Sequence, residues 1–171
     1  MKNIKKLIIL FTIIFLLPIK SFGLIEVDIT RGNLNPLPLA VSPLSIDEKS
    51  KKSFEELLKK KNIGVEISSI VENNLRTSGL FNPLNKDAFL QEPDIANLKP
   101  RFEDWNLIKA QALITGKVSF ADDKLRVEFR LWDVLAGKEM MALAFTTVPN
   151  NWRRVGHIIS DKVYERLTGE K

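Results

Sequence analysis

Alternation of apolar and polar residues predicts a run of strands in the second half of the chain. The stretch Ala112 to Phe120 is largely apolar, and Leu125 to Trp132 alternates strictly, with every second residue apolar. Asp122 and Asp123 separate these two stretches and are typical of a hairpin turn. A third strand is predicted from Met140 to Val148, after a turn at Gly137. Together they predict a three-stranded antiparallel meander.

Two other stretches have the 3.6-residue period of amphipathic helices. One begins after Asn62 and ends at Ser78-Gly79, and the other begins after Asn151 and ends at Thr168-Gly169. Both asparagines are suitable N-cap residues, and glycine commonly ends a helix. The predicted apolar stripes are Val65, Ile67, Ile70, Val71 and Leu75 in the first helix, and Val155, Ile158, Ile159, Val163 and Leu167 in the second.

The first half of the chain has weaker patterns. Leu24 to Thr30 alternates apolar and polar residues as a half-buried strand does, and short strands are predicted at Leu39 to Val41 and Leu80 to Leu84. Asp87 to Leu98 is predicted to be a loop. Pro100 to Trp105 is predicted to form a short helical piece with Trp105 facing inward.

The stretch from Ile46 to Lys61 is rich in charged residues. Phe54, Leu57 and Leu58 have helical spacing, so a helical turn or two is predicted, while the lysine-rich remainder is typical of a solvated surface. With the other elements, this gives a single domain of the α/β (α+β) class. We expect a mixed sheet of about five strands packed against two main helices.

The amino terminus has the pattern of a secretory signal peptide. Lysines at positions 2, 5 and 6 precede an apolar run from Leu7 to Leu17, and Ser21-Phe22-Gly23 predicts cleavage between Gly23 and Leu24. An uncleaved membrane anchor is the alternative, but 11 apolar residues are fewer than the roughly 20 that span a bilayer. No cysteine follows the run, which excludes lipoprotein processing. Residues 1–23 are therefore predicted to be removed on export.

Loss of residues 1–23 changes the charge of the chain. The full sequence has a formal net charge of +5, and the predicted signal peptide contains four lysines and no acidic residue, so the remainder has a charge of +1. This balance does not favour a nucleic-acid-binding protein. The remaining residues are enough for one ordinary domain with a hydrophobic core.

Few residues are suited to catalysis or metal binding. The chain contains no cysteine and one histidine, His157, which excludes thiol chemistry and does not favour a histidine-based catalytic site. Asp122 and Asp123 are adjacent turn residues, whose side chains do not converge on one substrate. The isolated glycines match no phosphate-binding loop. We therefore predict no catalytic residues, no metal site and no cofactor.

The segment directly after the predicted cleavage site is the candidate binding element. It is strand-like, and Gly32-Asn33 separates it from the rest of the domain. Its backbone donors and acceptors are suited to pairing with a strand of a partner protein. From the residues alone, an ordinary edge strand of the same sheet is equally consistent.

Several motifs resemble one known family. They are Ile25 to Gly32, Pro38 to Leu44, Leu75 to Phe81, Ile114 to Val118, Trp152 to Asp161 and Tyr164 to Gly169. Together they cover nearly all of the chain after the predicted signal peptide. In this order they resemble the N-terminal domain of TolB, the periplasmic component of the Tol-Pal system.

The resemblance implies a non-enzymatic periplasmic domain that helps maintain outer-membrane integrity and constriction at cell division. It implies binding to the C-terminal domain of TolA, peripheral to the envelope membranes and without nucleic acid. The implied partner-binding residues are Leu24, Ile25, Glu26, Val27, Asp28, Ile29, Thr30, Arg31 and Gly32. The implied organisation is a signal peptide (1–23), this binding segment (24–33) and the α/β domain (34–171).

The sequence differs from the family pattern in two places. The stretch from Ile46 to Lys61 is longer and more basic than expected. Family members continue into a β-propeller that binds the lipoprotein Pal, whereas this sequence ends at Lys171, near where the propeller would start. Pal binding is therefore expected only if a propeller is supplied elsewhere.

Two other functions stay open: a periplasmic hydrolase whose carboxylates the fold brings together, and a small carrier of envelope lipids or lipoproteins.

Overall fold

The computed structural model describes residues 25, 35–59 and 62–170, with backbone alone at 52, 55, 57 and 58. The strands in these ranges are β1 (Leu37–Val41), β2 (Ser45–Ile46), β3 (Phe81–Pro83), β4 (Ala112–Ala121), β5 (Lys124–Asp133) and β6 (Lys138–Thr147). The α-helices are α1 (Glu48–Leu58), α2 (Ile63–Thr77), α3 (Pro93–Leu98), α4 (Phe102–Leu107) and α5 (Trp152–Thr168). Two short 3-10 turns cover Lys86–Ala88 and Pro149–Asn151.

The strands form one mixed sheet in the order β3-β1-β4-β5-β6, with the two-residue β2 also paired to β4. Strand β1 is parallel to both β3 and β4, and β4, β5 and β6 are antiparallel neighbours. Ala112 lies opposite Asp133, and Val127 lies opposite Phe145. The predicted mixed sheet and its meander are confirmed.

Strand alternation divides the core into two layers. Leu39, Ile114 and Leu131 are fully buried on the face covered by the two long helices α2 and α5. On the opposite face, Leu113 belongs to a smaller cluster with Trp105, which is buried as predicted. Each fully buried side chain of this size contributes about 1.5 to 3 kcal/mol, so the long-helix layer supplies most of the stability.

Helix α1 is longer than predicted. In place of a turn or two, the helix has 11 residues. Phe54 is buried in the main core, and the buried hydroxyl of Ser50 accepts a 2.8 Å hydrogen bond from the backbone N–H of Phe120. The helix thus reaches the end of β4 through a polar residue, which obscures its apolar stripe in the sequence.

The predicted loop from Asp87 to Leu98 was wrong. It includes most of a 3-10 turn and all of helix α3, which begins at Pro93. Proline is favoured in the first helical turn because its missing N–H would have no helical partner there. Ala96 in this helix is completely buried against the sheet.

The long helices agree with the predictions at one predicted cap and differ at two other residues. Asn62 caps α2 as predicted, since its side chain accepts a 3.1 Å hydrogen bond from the N–H of Val65. Val65 itself is 36% exposed and does not belong to the buried stripe. Asn151 makes no side-chain cap to α5 and instead donates to the hydroxyl of Thr147.

Candidate partner-binding site

The predicted partner-binding segment falls almost wholly outside the described residues. Of Leu24 to Gly32, Ile25 alone is described, and Gly23 and the predicted signal peptide are also outside. The predicted strand at Leu24 to Thr30 therefore stays a prediction.

Ile25 lies against the folded domain. Its side chain is partly buried and packs against the main hydrophobic core. Its backbone N–H donates a hydrogen bond to Oδ2 of Asp133, with an N to O distance of 3.3 Å. This contact joins residues 108 positions apart, and it fixes where the start of the candidate segment meets the domain.

Asp133 is the last residue of β5 and is only 1% exposed. Its Oδ1 accepts a 2.8 Å hydrogen bond from the N–H of Ala136, which closes the turn between β5 and β6. Its register partners are Ala112 on β4 and Lys138 on β6. One carboxylate oxygen thus shapes the turn, and the other faces the backbone of Ile25.

The backbone around Asp133 is tied to the neighbouring strands. The N–H of Val134 donates to the carbonyl of Gln111 at 2.9 Å, and the N–H of Gln111 donates to the carbonyl of Pro38 at the same distance. Gly137 has φ of +61°, the left-handed conformation that glycine adopts without strain. Because these bonds link β1, β4 and the β5–β6 turn, Asp133 is held on a rigid part of the fold.

The hydrogen bond between Ile25 and Asp133 has little local signal in the sequence. Asp133 follows a strongly alternating strand and precedes a turn that contains Gly137. An aspartate at such a position often hydrogen-bonds the backbone of the following turn. Its second contact, to Ile25, joins distant parts of the chain and has no local signal.

His157, Asp122 and Asp123, the other residues that were weighed for catalysis or metal binding, have structural roles. His157 is exposed on α5, and its Nδ1 lies 2.8 Å from Nδ2 of Asn74 on α2. Asn74 also donates to the hydroxyl of Ser160, which links the two long helices. Asp122 and Asp123 have φ of +51° and +58° and connect β4 to β5, which confirms the hairpin turn.

The surface grooves in the described part of the fold include the following three. One of about 210 Å³ lies near Ser45, Asn62 and Asp94. A second of about 180 Å³ lies beside Glu128, and a third of about 290 Å³ lies between β6 and α5 near Arg154. General acid–base catalysis by paired acids requires two carboxylates that converge on one substrate. None of these three grooves has two.

The described residues contain no group of three or more His, Cys, Asp or Glu side chains that could hold a metal ion. None of the helices within the described ranges is both long and apolar enough to cross a membrane.

Comparison with known proteins identifies related sequences and folds. The model of the TolB amino-terminal domain family matches residues 25–140, more than half of the chain. The chain is 80% identical over 162 residues to the Tol-Pal system protein TolB of Pelagibacter ubique (strain HTCC1062), covering 95% of this chain and 36% of that protein. The crystal structure of TolB from Acinetobacter baumannii matches 85% of this chain and 32% of its own, with a TM-score of 0.62 and 20% identity.

The last match shows a shared fold. The chain spans about a third of the length of both relatives. What the whole of each relative does is therefore a separate question from what this domain does.

Proposed function

This chain belongs to the TolB amino-terminal domain family, and we propose that it is a non-enzymatic periplasmic protein-binding module of the Tol-Pal envelope complex. In this role it helps maintain outer-membrane integrity and constriction at cell division. The proposal rests on the family match and on the relative from the Tol-Pal system.

The proposed binding element is the segment from Leu24 to Gly32, and its proposed partner is the C-terminal domain of TolA. The contact between Ile25 and Asp133 supports this assignment, because Ile25 belongs to the segment and Asp133 is the last residue of β5. Ile25 is held there by a 3.3 Å hydrogen bond and by its partly buried side chain, and a residue held in this way can exchange that site for a partner. The alternating sequence of the segment is suited to strand addition.

Binding rather than catalysis is also the role that the described grooves favour. A hydrolase with paired acids needs two carboxylates facing one substrate, and the three grooves described above have at most one each. A lipid carrier needs an enclosed apolar space, whereas the sheet faces are filled by two packed clusters. Pal binding is not proposed for this domain alone.

Calorimetric titration with the TolA C-terminal domain tests the assignment. The exported and processed chain is expected to bind, and deletion of Leu24 to Gly32 is expected to abolish binding. Lys124→Ala is the matched control, because Lys124 is exposed at the start of β5, in the hairpin with Ala121 at the far end of that strand from Asp133. Equal binding by the intact and deleted chains would contradict the proposal.

A further inference from the structure

We propose that strand β6 and the neighbouring side of α5 form a docking surface for a second copy of this chain. The surface consists of Met141 to Thr147 on β6 and of Arg154, Ile158 and Asp161 on α5. Self-association of this kind goes beyond the function proposed above and does not depend on it, because no residue of the proposed TolA-binding segment belongs to this surface.

The two edges of the described sheet differ in how they are protected. Strand β3, at one edge, has three residues and includes Pro83, which has no N–H to donate. Strand β6, at the other edge, has ten residues and pairs with β5 alone among the described strands. Its far side therefore presents a row of backbone N–H and C=O groups to which another strand can bond.

Protection of β6 is confined to its beginning. The strand starts with two charged residues, and Met140 is the extra residue of a β-bulge whose carbonyl accepts a 3.3 Å hydrogen bond from Nε of Arg166. From Met141 to Thr147 the strand contains neither a charged residue nor a proline, and Leu143 is 38% exposed. An edge of this kind is suited to strand pairing between molecules.

Helix α5 runs beside β6 over the same length. Nδ2 of Asn151 donates a 3.2 Å hydrogen bond to the hydroxyl of Thr147 at one end, and the bond from α5 to the bulge holds the other end. Seven residues of strand and fifteen of helix separate these two contacts, and each corresponds to about 23 Å. Ala144 and Ile158 lie near the middle of this length and line the same groove.

The charges on this side of α5 are self-complementary. Arg154 and Asp161 are both exposed, and neither forms an ion pair with another described residue. They lie four residues before and three residues after Ile158 on one face of the helix, so each is about 5 Å along the axis from the middle. The nearby Lys162 is already paired with Glu165, at 2.8 Å.

One two-fold axis satisfies both elements. Antiparallel pairing of β6 with β6 of the second copy, centred on Ala144, sets Leu143 of one copy beside Phe145 of the other, and both are apolar. The same axis passes near the middle of α5, so Arg154 of each copy comes to the level of Asp161 of the other. A strand from a different protein would have to supply both opposite charges itself. The surface therefore fits a second copy of this chain.

Sedimentation equilibrium of the exported chain tests the proposal. Between about 10 µM and 1 mM, the range of weak association, the mass is expected to rise from that of one chain towards that of two. Ala144→Lys brings like charges together at the axis and is expected to weaken dimerisation by about tenfold or more. A chain that stays monomeric throughout this range would overturn the proposal.

Exchange of the two charges on α5 distinguishes this arrangement from other dimers. Arg154→Asp alone and Asp161→Arg alone each place like charges opposite one another, so each is expected to weaken dimerisation by about tenfold. The chain with both changes is expected to recover, because opposite charges again face each other. Within one chain the two residues are about 10 Å apart along the helix, so recovery does not come from an internal ion pair. A double variant as weak as the single ones would contradict this geometry.

Two controls complete the test. Glu103→Arg makes the same change of charge as Asp161→Arg at an exposed position of α4, and is expected to leave dimerisation unchanged. Deletion of Leu24 to Gly32 is also expected to leave it unchanged, so the result is separate from that of TolA binding. Loss of the dimer on this deletion would identify that segment as the occupant of the edge and overturn the proposal, as would a dimer unaffected by Ala144→Lys.

Discussion

A β-carbon on Gly64 would lie only 2.0 Å from the carbonyl oxygen of Leu44. Gly64 is in the first turn of α2, and Leu44 is in the connection between β1 and β2. The helix therefore approaches the backbone of that connection more closely than any other amino acid would allow. This approach positions the helix that covers the centre of the sheet.

Gly64→Ala is expected to destabilise the domain by about 3 kcal/mol. The clash is with backbone atoms, which cannot move aside as a flexible side chain can, so the cost is at the upper end of that for overpacking. Gly79→Ala is the control, because a β-carbon there meets nothing within 4 Å and the cost of about 1 kcal/mol comes from its φ of +75°. Urea denaturation measures both, and equal losses would contradict the account.

Gln91→Ala is expected to lower the free energy of unfolding by about 2 to 3 kcal/mol. Gln91 is 3% exposed, and its Oε1 accepts from the indole N–H of Trp105 and the backbone N–H of Arg101. Its removal leaves buried donors without partners, at about 1 to 3 kcal/mol each when no water replaces it. Thermal denaturation with exposed Asn106→Ala as control measures the effect. A loss no larger than in the control would show that this network contributes little.

Glu72 should make stability depend on pH in the acidic range. Burial opposes its ionisation, but hydrogen bonds from Arg76 and Lys86 outweigh that effect and hold the pKa of Glu72 below its usual 4.5. The unfolded chain then binds more protons, so the stabilisation is present above about pH 4.5 and is lost as pH falls through the lower folded pKa.

Glu72→Gln should therefore be less stable than the wild type at neutral pH, and this difference should disappear in acid. Denaturation midpoints measured across this range test the prediction, with exposed Glu170→Gln as a control that shows no such trend. A difference that is constant with pH would assign the effect of Glu72 to packing.

The β4–β5 hairpin offers a stabilising substitution. Asp123 has φ of +58° and is exposed, so glycine at this position relieves backbone strain. Asp123→Gly is expected to raise the free energy of unfolding by about 0.5 to 1 kcal/mol. Glu56→Gly, in the last turn of α1, is expected to lower it by a similar amount because the backbone there is helical. Loss of stability in Asp123→Gly would contradict this reading of the turn.

The parts of the fold that were predicted from sequence are those with long, regular patterns. Strand β5 has ten residues with strict alternation, and α2 and α5 have several turns of apolar stripe. Strand β2 has two residues, too few for any period, and exists because it pairs with β4.

The predictions failed where tertiary contacts override local pattern. Helix α3 has six residues and begins with proline, so its local sequence resembled a loop, yet Ala96 packs into the smaller core. Asn151 has a suitable residue type for capping but bonds to Thr147 instead. The hydrogen bond between Ile25 and Asp133 could not be predicted from sequence for the same reason, since the two residues are far apart in the chain.

The central claim is that this domain binds TolA through its amino-terminal segment. It is tested most directly by amide chemical-shift mapping of the isotope-labelled processed chain during titration with the TolA C-terminal domain. The account predicts that the largest changes occur from Ile25 to Gly32, with smaller changes near Asp133 as Ile25 leaves it, and none around Trp105 on the opposite face. Changes confined to the grooves or to the face around Trp105, with Ile25 to Gly32 unaffected, would contradict it.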